Sequence, residues 1–155
     1  MISKSRQASA CLRQAGQAAS VLLLLAPAAL AASPDVSVTA GRMQFVMAGR
    51  PAAGYFTLKN QGQTQLALTG ASAPDCGSLM LHRTTSQGGM SRMEMVDSVR
   101  VPPGGTVQFS PGGYHLMCME PRGALLSGKG TEPVTLQFAG GAQVEAPFAI
   151  TGPGR

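Results

Sequence analysis

Residues 114–119 read Tyr114-His115-Leu116-Met117-Cys118-Met119, directly after the turn sequence Pro111-Gly112-Gly113. Successive side chains of a β-strand point to opposite faces, so residues two apart share one. As a strand, this stretch puts His115, Met117 and Met119 on one face and Leu116 and Cys118 on the other. A helix would part His115 from Met117. The strand reading is thus the one that joins an imidazole to thioethers on a single surface. The same alternation sets Met80 beside His82, and Met93 beside Met95.

Outward from this stretch, short β-type runs rich in Val, Thr and Gln alternate with turn sequences. Candidate strands are Val36–Ala40, Met43–Ala48, Ala53–Asn60, Thr64–Ala71, Ser78–Thr85, Met93–Val96, Thr106–Ser110, Tyr114–Met119, Pro133–Phe138 and Gln143–Ile150. The breaks carry Gln87-Gly88-Gly89, Pro102-Pro103-Gly104-Gly105 and Gly140-Gly141, where glycine supplies positive φ and proline sets the entry. Gly140-Gly141 between two alternating runs reads as a hairpin. The expectation is an all-β fold, a single sandwich or barrel, with no repeat and no second domain.

Residues 1–31 read as a secretory signal peptide. Lys4, Arg6 and Arg13 form a basic start, Val21 to Leu30 is a short apolar run, and Ala29-Leu30-Ala31 is a small-x-small cleavage pattern. The apolar run is broken by Pro27 and is far short of the roughly twenty residues needed to span a bilayer. No cysteine follows it closely, so a lipid anchor is not expected. The expected mature domain is 32–155, exported and without stable membrane insertion. It carries nine basic and seven acidic residues, a net of about +2, scattered without a basic run. That argues against nucleic acid as a partner. Of the three cysteines, Cys76 and Cys118 lie in the mature part, where an oxidising compartment permits a disulfide. Spacing alone leaves open whether they bridge or whether Cys118 is a free thiol beside its methionine neighbours.

The chain has only two histidines, His82 and His115, and both lie among methionines. Imidazole and thioether are neutral donors suited to a soft transition metal, which points to copper(I). Such a set needs no thiolate, an advantage where cysteine pairs oxidise. Zinc sites rarely use thioether, and Asp75, Glu94, Asp97 and Glu120 form no oxygen-ligand run for calcium or magnesium. Neither a Ser/His/Asp set nor a paired-carboxylate cleft is suggested, so an enzyme is not expected. Two other classes compete: a metal-free secreted β-sandwich used for binding or assembly, and a blue-copper electron carrier that would need Cys118 as a thiolate ligand.

The string His82-x10-Met93-x21-His115-x-Met117 resembles the signature of the PCuAC family, periplasmic copper chaperones serving the CuA centre of cytochrome c oxidase. Ala53-Gly54-Tyr55-Phe56-Thr57-Leu58-Lys59-Asn60 and Val101-Pro102-Pro103-Gly104-Gly105 also look like the family. The resemblance covers nearly all of the mature chain. It implies a Greek-key, cupredoxin-like β-barrel that holds one Cu(I) through His82, Met93, His115 and Met117. It further implies a periplasmic carrier, expected as a monomer, that delivers to the oxidase CuA subunit or to a Sco-type protein. Some members hold extra copper on a His/Met-rich tail, but the closing residues Ile150 to Arg155 contain neither residue. Cys76 and Cys118 stand outside the family pattern. Met90, Met95 and Met119 are candidates for an apolar rim around the site, because flexible methionines suit adaptable surfaces.

Overall fold

The strand Ala52–Asn60 shows how the chain divides itself. Ala52, Gly54, Phe56, Leu58 and Asn60 are buried, while Ala53, Tyr55 and Thr57 between them are only partly covered. Alternation of this kind commits one face to a core. The structure is a computed structural model and describes residues 34–152; the expected signal peptide, 1–31, lies outside the described residues.

In chain order the elements are β1 (Val36–Gln44), β2 (Ala52–Asn60), β3 (Leu66–Ser72), β4 (Ser78–Gln87), β5 (Met90–Met95), β6 (Val99–Val101), β7 (Thr106–Phe109), β8 (Tyr114–Met119), the short helix α1 (Ala124–Ser127), β9 (Thr131–Phe138) and β10 (Gln143–Thr151). The ten strands form one sheet in the order β5-β4-β8-β7-β2-β1-β10-β9-β3-β6. A further β8–β2 pairing and the β3–β4 contact at Ala71 and Leu79 bring the sheet round on itself. The result is the barrel-like sandwich expected from the alternating runs.

The interior is aliphatic and aromatic. Phe56 stacks on Phe109 at 4.1 Å between ring centroids and tilts against Phe148 at 5.3 Å. Leu58, Leu68, Leu116, Val134 and Leu136 are fully buried around them. Asn60 is a buried polar exception whose needs are met. Its Nδ2 lies within donating distance of the carbonyls of Thr64 (2.7 Å), Val101 (3.2 Å) and Pro102 (3.1 Å), and its Oδ1 accepts from Gly62 N–H at 3.0 Å. It ties the β2 end to two loops.

The structure corrects several sequence-based boundaries. Val36–Ala40 and Met43–Ala48 are not two strands. β1 runs through both starts, with a register irregularity between Thr39 and Arg42, and ends at Gln44. Ala40 takes a positive φ of 54°, and a Cβ on Gly41 would lie 2.9 Å from Phe148, so close packing demands glycine there. Beyond the bulge β1 also pairs in parallel with β10. Phe45 to Pro51 form a connection instead of more strand. β5 begins three residues earlier than expected, at Met90. β6 and α1 were not anticipated, because each is only three or four residues long and is defined by tertiary pairing rather than by any periodic pattern.

Candidate metal centre

β4 lies between β5 and β8, and its register brings together the distant parts of the methionine-rich pattern. His82 stands opposite Met95 of β5 on one side and opposite His115 of β8 on the other. Met80 is opposite Met117, Ser78 opposite Met119, and Thr84 opposite Met93. Directly opposed residues share a face. His82, Met93, His115 and Met117 therefore lie on one surface, with Met80, Met95 and Met119 beside them. Leu79, Leu81, Leu116 and Cys118 alternate onto the other surface and are buried in the core. That apolar set locks the register, since a slip of one residue would turn the whole donor set inward.

The two imidazoles are 5.8 Å apart between centroids, in an edge-on arrangement. Nδ1 of His115 lies 3.1 Å from the Gly113 carbonyl. A carbonyl can only accept, so Nδ1 carries a proton, and in the neutral ring the lone pair is then on Nε2. That Nε2, like Nδ1 of His82, is buried and finds no hydrogen-bond partner among the described residues. Among those residues no other buried side-chain nitrogen or oxygen is left without one. The pKa of His82 is lowered from its ordinary 6.5, first by burial and then by the charge of His115. Both effects favour the neutral ring, the form that donates to a metal.

A cavity of about 550 Å³ opens over this face, lined by Met93, His115 and Met117. Its walls come from Val46, Met47, Arg50 and Pro51 in the β1–β2 connection and from Pro111 and Gly112 before β8. His82 is the cross-strand neighbour of His115 and does not itself line the cavity. Met93 is 52% exposed, whereas His115 is only 4% exposed. The rung between them is small. Thr84 N–H donates to the Gly113 carbonyl at 3.0 Å, and Met93 opens onto a cavity that Thr84, His115 and Met117 also line. Tyr55 approaches His115 at 6.5 Å, with the Arg42 guanidinium 4.9 Å above its ring.

The remaining sequence-selected residues sort clearly. Met95 is 64% exposed and shares the donor face, as does Met119 at the far end of β8. Met90, 77% exposed, sits at the hairpin tip opposite Gln87, on the reverse face by strand alternation. Cys76 and Cys118 are joined by a disulfide with Cα atoms 5.4 Å apart. Thr84, Gly113 and the Val46–Met47 wall were not singled out from sequence. Thr84, Gly113 and Val46 carry no metal-binding signature, and Met47 reads in sequence as part of the Met43–Ala48 strand.

Residues 36–150 match the family described as "Putative lipoprotein LpqE-like". The chain belongs to the LpqE-like family. A relative, "Putative lipoprotein Lxx21020" of Leifsonia xyli subsp. xyli, is 33% identical over 99 residues, covering 63% of this chain and 58% of that protein. The chain thus spans somewhat over half the length of that relative. Among solved structures, this LpqE-like chain has the PCuAC fold. It superposes on the copper-bound PCuAC domain from PmoF2 with a TM-score of 0.63 at 20% identity, over 79% of this chain and 97% of that one. Apo-DR1885 from Deinococcus radiodurans is 29% identical, with a TM-score of 0.59 over 93% of this chain and all of that one. Its Cu(I) form is 30% identical, with a TM-score of 0.56 over 78% of each chain.

Proposed function

We propose that this protein is an exported, non-enzymatic Cu(I) carrier that binds one ion through His82, Met93, His115 and Met117. The observation that carries the reading is the pair of orphaned imidazole nitrogens, His82 Nδ1 and His115 Nε2, buried on one strand face beside two thioethers. A buried polar atom without a partner is costly, and a cation in reach of both would satisfy them together. Copper-bound relatives with this fold support the same metal.

The donor set decides which metal fits. Two neutral imidazoles and two thioethers suit a soft, singly charged ion. Among the described residues no group of three or more His, Cys, Asp or Glu comes together, so the usual zinc ligation lacks its donors. The blue-copper alternative needs Cys118 as a thiolate, yet Cys118 faces the core and is bridged to Cys76. A metal-free binding module leaves the orphaned nitrogens without a purpose.

Function as a carrier follows from exposure. His115 is buried and hydrogen-bonded, whereas Met93 is half exposed at the cavity. A weak thioether at an open edge lets an incoming ligand bind before the others let go, so copper passes without being released to water. The acceptors in this reading are the oxidase CuA subunit or a Sco-type protein, with the periplasm as the compartment. Among the described residues no helix is long and apolar enough to cross a membrane.

The test is Cu(I) titration of the protein beside a His115→Ala/Met117→Ala double variant. One ion bound by the native protein and none tightly by the variant is the expected result. Equal stoichiometry and affinity in the two would overturn the assignment.

A further inference from the structure

β5 is the terminal strand of the sheet, and all of its residues are exposed. Such edges are commonly guarded by charged residues, especially lysine, because apolar edges invite aggregation. Here the donor-side positions hold Met93 and Met95 instead. With 64% of its surface exposed, Met95 contributes little to any core. Its side chain therefore needs a reason other than packing.

Register supplies one. Val96 N–H donates to the Leu81 carbonyl at 2.9 Å, which makes that pair the hydrogen-bonded rung. The next rung, Met95 opposite His82, is then of the narrow type, in which Cα atoms approach to about 4.5 Å and side chains are closest. Met93 is two rungs further along, opposite Thr84, and lines the cavity with His115 and Met117. Met95 stands on the solvent side of His82 and does not line that cavity. The face thus holds two thioethers on one strand with different neighbours.

We propose that Met95 is an exchange ligand, which binds Cu(I) transiently together with His82 as the ion enters or leaves. The inference rests on the carrier reading above. In the step, the Met95 sulfur donates a lone pair to the ion as the Met93 sulfur withdraws its own. Copper stays Cu(I), no electron or proton moves, and the number of thioether donors is conserved. The ion then sits at the sheet edge, where a donor from an acceptor replaces Met95 in the same manner.

The experiment loads the full chain with Cu(I) and follows, by stopped-flow absorbance, transfer to the aromatic nitrogen chelator bathocuproine disulfonate. The native protein is compared with Met95→Leu, which keeps volume and apolarity but removes sulfur, and with Met93→Leu. Loss of an exchange route slows uptake and release together, so Met95→Leu is expected to transfer about tenfold more slowly while its affinity moves far less. Met93→Leu is expected to lose affinity. A native transfer rate in Met95→Leu would overturn the proposal, and so would a loss of affinity matching Met93→Leu, which would make Met95 a resident ligand. Failure of the carrier reading is distinguishable, because the native protein would then take up no Cu(I) at all.

Discussion

His82 and His115 are direct cross-strand neighbours whose rings meet edge-on, with centroids 5.8 Å apart. Each ring holds a buried nitrogen that lacks a partner. Protonating His82 would place a cation in a partly desolvated site next to a second imidazole. The protein is therefore built to keep this ring neutral, the state that metal binding requires.

The pH dependence follows in sign. Burial and then the His115 charge lower the His82 pKa below its ordinary 6.5. Between that value and the folded pKa, the unfolded chain binds a proton that the folded chain refuses. Stability from this group is full above 6.5 and is lost as pH falls through the window to the folded value. In metal-free protein, NMR titration of His82 is expected to show a midpoint below 6.5, and His115→Ala is expected to raise it by removing one cause. A His82 midpoint above its ordinary value would contradict the burial seen here.

Gly113 accepts a hydrogen bond from Thr84, the residue that faces Met93 across β4 and β5. A Cβ there meets only Ser110, at 3.6 Å, and the backbone has no positive φ that would penalise substitution. Gly113→Val is therefore expected to fold normally while adding bulk beside Thr84, the residue opposite Met93. Cu(I) affinity should fall about tenfold, the scale on which supporting residues of metal sites act. Competition titration against a chelator measures it, and native affinity in Gly113→Val would show that bulk beside Thr84 does not reach Met93.

Much of this site was legible before the fold. Alternation in Tyr114–Met119 assigns His115 and Met117 to one face, and the structure has that strand with Leu116 and Cys118 in the core. What alternation cannot state is which strands are neighbours. That His82 falls opposite His115 is a matter of register, set by apolar residues such as Leu81 and Leu116 on the hidden face. The cavity wall was misread for a related reason. Phe45, Val46 and Met47 are apolar enough to continue a strand, but the pairing of β1 with β2 and β10 ends at Gln44, and a last hydrogen bond from Phe45 N–H to the Thr151 carbonyl closes it. Met90, Met93 and Met95 look equivalent in a string, yet only the last two share the donor face.

On β9, Glu132 is buried and accepts the Asp75 backbone N–H at 2.9 Å. Burial raises its pKa above the ordinary 4.5 and the Asp75 side chain adds to the rise, while the backbone hydrogen bond opposes it. The folded chain thus keeps this proton to a higher pH than the unfolded chain does. Its stabilising contribution is present below 4.5 and is lost as pH rises through the folded value. Glu132→Gln keeps an acceptor for Asp75 and removes the buried charge. It is expected to raise stability near neutral pH by about 1 kcal/mol, with the gain vanishing in acid. Urea denaturation at both pH values measures it, and a variant less stable at neutral pH would mean that the carboxylate itself is needed.

Cys118 sits between two methionines of the donor face but points away from them, bridged to Cys76 just ahead of β4. The bond links residues 42 apart and pins the end of β8 to the start of β4, the two strands that carry the imidazoles. Cys76→Ala/Cys118→Ala is expected to cost about 2–5 kcal/mol, as loss of a native bridge does in small exported domains. Because neither sulfur faces the cavity, the variant should still bind one Cu(I) wherever it remains folded. Its affinity should weaken only modestly, through looser β4–β8 pairing. Denaturant midpoints and Cu(I) titration of the same sample separate the two effects. A variant of native stability that no longer bound copper would mean that a cysteine sulfur belongs to the metal site.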